Sequence, residues 1–464
     1  MSTVAEVLGS LEPAFLSVST GTAFGYQSAV FALILVATLV LLALERIHKA
    51  VLVLISAGIC LLLADYWGYF QAHTGHLPVY VEMIEWEVIG IVVGATVFVE
   101  IAARSGVFAW ISIKLLKLSR GDPLRLLVLF SFLTVVFSAF LDNITAMIIV
   151  GSLSLVACRK LELNPVPYLI TEGIMTNVGG LLTLISSIPN IIIGKAADIS
   201  YLTFLMVCTP YAIVAVAGSI WIARWLYSKT IRPLHNPAVA LRHRKLVEAF
   251  DEWEAVTDRR FFSISIVAIV LVILAFALKP KIPVLQDFGI EVVALGAAIF
   301  MLLLHGKDIE RDLEKVEWSM VFFFIGLFTV IGVMDKTGVL AGIGVLLAGF
   351  TQYTGSIGLM WLTALFSSVT DNIPLAAMLA KIFGSTPEAV QAVPHTHWWA
   401  VVFGANLGGN ITPIGSASTV VAVTILRKHK LPLSFVDFVK AGSAFAGLQL
   451  VLASGYLLVL GVLL

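Results

Sequence analysis

The sequence predicts an all-α polytopic membrane protein made of two inverted repeats, each with five transmembrane helices and one re-entrant hairpin. Three observations predict it. Hydrophobic residues are 59% of the 464 and charged residues only 12%, whereas a soluble domain carries about 25% charge to keep its surface wet. Apolar runs long enough to cross a bilayer, about 20 residues each, recur along the whole chain. Polar landmarks of the first half also return in the second at a constant spacing.

The 29 Lys and Arg balance the 29 Asp and Glu, so charge implies no nucleic acid partner. The partner that composition demands is the lipid bilayer. Cys60, Cys158 and Cys208 lie scattered in apolar stretches, form no CxxC pair and suggest no disulfide framework. No HExxH, nucleophile-elbow or P-loop pattern occurs. Neither an enzymatic reaction, nor a metal, nor a cofactor is therefore expected. Without a P-loop the energy must come from an ion gradient, or else from a separate ATPase subunit.

Residues 1–27, charged only at Glu6 and Glu12, read as a polar extracytoplasmic tail. The first half, 28–227, has spans at about 28–44, 50–66, 88–103, 168–194 and 203–227. The second, 261–464, has them at about 261–278, 289–304, 318–334, 398–425 and 441–463. Stretches 124–158 and 355–383 are each broken midway by Asp-Asn and read as hairpins that enter and return. Segments 106–118 and 338–350 read as interfacial helices, the first with Lys114 and Lys117 on one side. If both hairpins re-enter, about 24 of the 29 Lys and Arg fall on one face. The positive-inside rule makes that face cytoplasmic, with both termini outside, in a bacterial-type inner membrane. The basic 228–260 segment then reads as a solvated cytoplasmic linker.

Asp142-Asn143 returns as Asp371-Asn372 at a spacing of 229 residues (371 − 142). Asn177-Val178-Gly179-Gly180 returns as Asn406-Leu407-Gly408-Gly409 at the same spacing, as does Thr183 as Thr412. Glu85-Trp86 and Glu317-Trp318 match at 232 (317 − 85). Five crossings per copy invert the second against the first, the architecture of alternating-access transporters with a site near midplane. Irregular backbone at that depth survives only where it is buried in protein or lines a cavity.

The expected solute-binding groups are therefore the polar residues of the four breaks. They are Asn143, Thr145, Asn177, Gly179, Gly180, Thr183, Ser186 and Asn190 in the first copy, and Asn372, Asn406, Gly408, Gly409, Thr412 and Ser416 in the second. Asp142 and Asp371 are placed either to cap half-helices or to carry protons, since desolvation favours the protonated carboxyl. Glu172 and Glu100, inside predicted spans, are further candidates for a proton relay. Gly338 and Gly342 are spaced as in helix-dimer seams, which leaves a homodimer and intrachain packing as alternatives.

These motifs resemble the ion-transporter superfamily, in particular its arsenite permease and sodium/proton antiporter branch. Leu141-Asp142-Asn143-Ile144-Thr145, Asn164-Pro165-Val166-Pro167-Tyr168, Ile188-Pro189-Asn190 and Asp371-Asn372-Ile373-Pro374 carry the likeness with the Asn-Val/Leu-Gly-Gly pair. Thr412-Pro413-Ile414-Gly415-Ser416 is similar to the arsenite permease stretch. The resemblance implies ten spans, two hairpins and a site of hairpin tips and broken helices. Ser186-Ser187 stands where relatives often carry an acidic Gly-Asp, which weakens a dedicated sodium site. On this reading the function is efflux of arsenite or antimonite in exchange for protons, possibly with an arsenite-stimulated ATPase subunit. Sodium/proton exchange is the alternative. A dicarboxylate ranks third, because a dianion beside Asp142 and Asp371 is repelled and no Lys or Arg lies at the motif centres. A non-transporting membrane scaffold of the same fold comes last.

Overall fold

The computed structural model describes residues 25–463 apart from 45, 71–76, 232–235, 283–287, 306–308, 385–389, 391–392 and 432. The first 24 residues of the expected tail, and Lys307 of the basic face, lie outside the described residues. Those described form twenty α-helices and no strand. The first half contains α1 (Tyr26–Leu44), α2 (Lys49–Tyr66), α3 (Val79–Met83), α4 (Trp86–Arg104), α5 (Val107–Leu118), α6 (Pro123–Ser138) and α7 (Asn143–Lys160). It continues with α8 (Val166–Gly179), α9 (Ile188–Ala196) and α10 (Tyr201–Leu226), before the linker helix α11 (Pro237–Glu248). The second half contains α12 (Arg259–Leu278), α13 (Ile290–His305), α14 (Ile309–Leu313), α15 (Trp318–Lys336), α16 (Val339–Val369) and α17 (Asn372–Phe383). It ends with α18 (His395–Gly408), α19 (Ala417–Lys428) and α20 (Phe435–Leu463). Nine of these, among the described residues, are long and apolar enough to cross a membrane.

Local chemistry starts and stops the helices. Asp122 accepts the N–H of Arg125 ahead of Pro123, and Ser200 and Ser416 accept those of Thr203 and Thr419. Side-chain acceptors of this kind satisfy the orphan amides of a first turn. Arg159 and Lys160 close α7, and Arg427 and Lys428 close α19, where the negative end of the helix dipole favours cations. The interfacial segment and hairpin expected at 338–350 and 355–383 are joined: α16 runs through both and bends at Gly355, where φ is +61° and ψ −162°.

The duplication extends to individual contacts. Ser138 Oγ donates to the Thr176 carbonyl and Ser367 Oγ to the Ala405 carbonyl, both at 2.6 Å. Thr183 and Thr412 each donate to a hairpin carbonyl, of Ala139 and Ser368, at 2.5 Å. Gly179 sits against the backbone of Val135 and Gly408 against that of Ala364, so close that a Cβ would lie 2.6 and 2.3 Å from those carbonyl oxygens. Every pair is 229 residues apart.

Long helices exchange partners between halves: α2 packs along α15, and α4 along α13. Gly94 meets the Ala294 backbone and Gly326 the Val53 backbone, where a Cβ would lie 2.5 and 2.9 Å away. The short pieces do likewise, with α9 on α17 and α19 on α8 and α7.

The linker is seated rather than solvated. His243 and Val247 are buried, and His243 Nδ1 lies 3.1 Å from the Gly121 carbonyl at the foot of α6. Lys114 of α5 pairs with Glu252 at 2.6 Å, and Lys117 pairs with its other oxygen. Trp253 stacks edgewise on Trp110 at 5.7 Å between ring centres. Apolar side chains interleaved with the charges make this docking favourable.

Candidate functional site

The two hairpin tips face each other across one cavity. Asp142 begins α7 and its Oδ1 accepts the N–H of Ile144 and Thr145 at 3.0 and 2.9 Å. Asp371 begins α17 and its Oδ1 accepts the N–H of Ile373 at 3.3 Å. Capping and solute access are thus compatible, because both carboxylates also line a cavity of about 650 Å³. Asn143, Asn372, Ser186 and Ser416 line it too, four of the expected binding groups, together with Ser187. Its walls are completed by apolar side chains of α4, α15 and the hairpins, among them Ile91, Val99, Phe140 and Phe323.

The other expected residues lie behind this surface. Asn177, Asn190 and Asn406 are fully buried and bond to one another's segments. Asn143 Nδ2 donates to Asn177 Oδ1 at 3.2 Å, and Asn177 Nδ2 to Asn410 Oδ1 at 2.7 Å and Ser416 Oγ at 2.9 Å. Asn410 Nδ2 continues to Gln449 Oε1 at 2.8 Å, and Gln449 Nε2 to Ser219 Oγ at 2.9 Å. A second chain runs from Ser187 Oγ to Asn406 Oδ1 at 2.9 Å and from Asn406 Nδ2 to Asn190 Oδ1 at 2.8 Å. Asn190 Nδ2 closes it on the Gly180 carbonyl at 2.6 Å. Thr183 and Thr412 hold the hairpins, as described. Gly179 and Gly408 admit them, Gly180 lies beside Asn143 Oδ1, and Gly409 lies against the Gly415 carbonyl. Thr145 meets Asp142 through its backbone alone.

The two glutamates stand apart from the cavity lining. Glu172 is buried in α8, where Ser154 Oγ donates to Oε1, and its Oε2 has no hydrogen-bond partner among the described residues. Glu100 faces Arg104 one turn on, at 3.8 Å, and Arg104 also pairs with the buried Asp312.

Three charged groups enter the site unannounced by the motifs. Lys49, at the start of α2, places Nζ 3.0 Å from Asp371 Oδ2. Arg46 and Glu317 line the same cavity, as does His48. The repeat gave a signal for Glu317, since it matches Glu85. Lys49 and Arg46 read in sequence only as loop charges. Gln449 was visible as a lone amide within the apolar α20.

The citrate transporter (CitMHS) family matches this chain over residues 39–404. An uncharacterized transporter of Mycobacterium bovis is 30% identical over 442 residues, covering 93% of this chain and 98% of the relative. The P protein of Sus scrofa is 25% identical over 511 residues, covering 93% of this chain and 59% of the relative. In fold, the crystal structure of the Alcanivorax borkumensis YdaH transporter is similar, with a TM-score of 0.57 at 14% identity over 90% of this chain and 98% of that one. The likeness to the ion-transporter superfamily therefore holds, and the arsenite permease branch is not singled out within it. A membrane-embedded, transporter-like fold and a family match over most of its length give the identification: the chain belongs to the citrate transporter (CitMHS) family.

Proposed function

We propose that this protein is a secondary transporter carrying a small carboxylate-bearing solute by alternating access, with Asp142 and Asp371 coupling its passage to protons. One observation carries the reading: the cavity that holds both tip aspartates also holds Lys49 and Arg46. In sequence order a dicarboxylate ranked below arsenite because the motif centres lack basic residues. The fold supplies those residues from the turn before α2, outside every motif. A cavity of about 650 Å³ also has room for an organic anion, a size at which buried pockets hold small ligands, roughly 300–1,000 Å³. The family's name, citrate transporter, favours the same class. On the inverted-repeat reading, Arg46 and Lys49 belong to the basic face, so this cavity opens to the cytoplasm.

Exchange of arsenite or antimonite for protons is the second reading. It is favoured by the neutral amides and hydroxyls, Asn143, Asn372, Ser186 and Ser416, that line the cavity, because a neutral hydroxide needs no fixed charge. Sodium/proton exchange rests on the same carboxylates.

Proteoliposomes holding only the purified chain separate these readings. Uptake of labelled citrate driven by a pH gradient, with no ATPase present, supports the proposal. Arsenite uptake without citrate uptake supports the second reading, and a sodium-driven pH change alone supports the third. Transport of none of them overturns the proposal. In the same vesicles Asp142→Asn and Asp371→Asn should each lower gradient-driven uptake about tenfold or more, the loss expected when an ionisable group acts in a transport step. Unimpaired uptake in both would remove proton coupling from these residues.

A further inference from the structure

Lys49 is poorly placed for its own helix. It is the first residue of α2, where the positive end of the dipole favours acids and disfavours ammonium groups. His48 before it provides no side-chain cap. The lysine instead reaches across 322 residues to Asp371. Asp371 divides its oxygens, Oδ1 taking one amide at 3.3 Å and Oδ2 taking Lys49. Asp142 gives Oδ1 to two amides at 3.0 and 2.9 Å, and among the described residues it has no ion pair. The matched aspartates are therefore unequal.

The helix pairing shows why. Gly94 rests on Ala294 as Gly326 rests on Val53, which sets Val53 against Ala294 and Lys49 against Ile290. The second copy offers isoleucine where the first has lysine. A lysine counter-ion is thus available to Asp371 alone, from the Arg46 side of the cavity.

We propose that Lys49 is a tethered counter-ion for the empty carrier. Its ammonium neutralises Asp371 and holds the cavity open on this side until a coupling cation, a proton or a sodium ion, binds the carboxylate and displaces it. The released ammonium then faces the carboxylate of the solute, a step that rests on the function proposed above. Lysine suits the task because a point charge on a flexible four-carbon stem can swing between partners. The other charged or titratable groups facing this pair are Arg46 and His48 from the turn before α2, Glu317 from the start of α15 and Asp142 from the first hairpin.

A reporter cysteine at Ala417, exposed in the cavity lining, reads the open state without any solute. The native Cys60, Cys158 and Cys208 are buried, which keeps background labelling low. Membrane vesicles of the orientation in which Ala417→Cys is modified by a membrane-impermeant thiol reagent would be compared with and without Lys49→Gln. The ratio of the two rates cancels the thiol's own pH dependence and the titration of the four other groups.

At pH 8 in choline chloride the parent should label about fivefold faster than Lys49→Gln, a modest population shift, and Lys49→Arg should keep most of that rate. A ratio that collapses towards one by pH 5 assigns the displacing cation as the proton. Collapse on adding sodium chloride at pH 8 assigns it as sodium. A ratio of one throughout, or a fivefold ratio that neither cation changes, overturns the proposal. In an Asp371→Asn background Lys49→Gln should change nothing, so a remaining effect there also overturns it. Citrate uptake into proteoliposomes is scored separately: its absence, with the labelling pattern intact, removes the proposed solute and leaves the tether standing.

Discussion

Asn177 shows how a motif residue is recognisable while its task is not. The repeat marked it as important, and the structure gives it a double bond across halves, to Asn410 and Ser416, while accepting from Asn143. Polar residues at bilayer depth must be satisfied, and an amide ladder satisfies them as fully as a solute would. Asn177→Ala should cost about 1–3 kcal/mol, the penalty for buried polar groups left unpaired. Thermal unfolding in detergent would measure it, and an unchanged midpoint would show that water replaces the amide. Of the expected binding residues, Asn143, Asn372, Ser186 and Ser416 were legible because they stand beside a break in a helix. Lys49 was not, since its role depends on a contact with Asp371 that no local spacing encodes.

At the scale of elements, the hairpins were legible from Asp-Asn interrupting otherwise apolar stretches. The continuity of α16 through Gly355 was not, because a single left-handed residue bends a helix as readily as it ends one. The linker was misjudged from its charge. Glu252 reads as solvated among acidic neighbours, yet hydrogen bonds from Lys114 and then Lys117 hold its carboxyl down to about 2 from 4.5. A depressed carboxyl stabilises the fold at pH values above its ordinary range. The contribution fades as pH falls from about 4.5 through about 2. Glu252→Gln should therefore lower the melting midpoint at pH 7, and the gap from the parent should narrow as the pH approaches 2. A gap that is constant with pH would point to packing of Trp253 instead. The linker also touches both arms of the first hairpin, since Lys160 lies 3.9 Å over Phe250 and Arg242 pairs with Glu162 at 2.7 Å. Only the first copy carries this collar, because the linker follows it in sequence.

For the whole molecule, composition gave the membrane and the 229-residue spacing gave the duplication. The pairing of α2 with α15 and α4 with α13 was hidden, because apolar faces do not name their partners. Gly94 and Gly326 mark those seams. Adding a methyl group at either, with backbone atoms 2.5 and 2.9 Å from the new Cβ, should destabilise the fold by about 1–3 kcal/mol through overpacking. A full-strength midpoint in Gly94→Ala would mean that the seam relaxes freely. The interlaced seams also constrain biogenesis. When the ribosome has delivered only the first copy, α4 is already in the bilayer with its glycine groove vacant, and α13 has yet to be made. The nascent chain must wait for nearly two hundred further residues before that groove closes, so a product truncated within the linker should be cleared by membrane quality control instead of accumulating as a half-carrier.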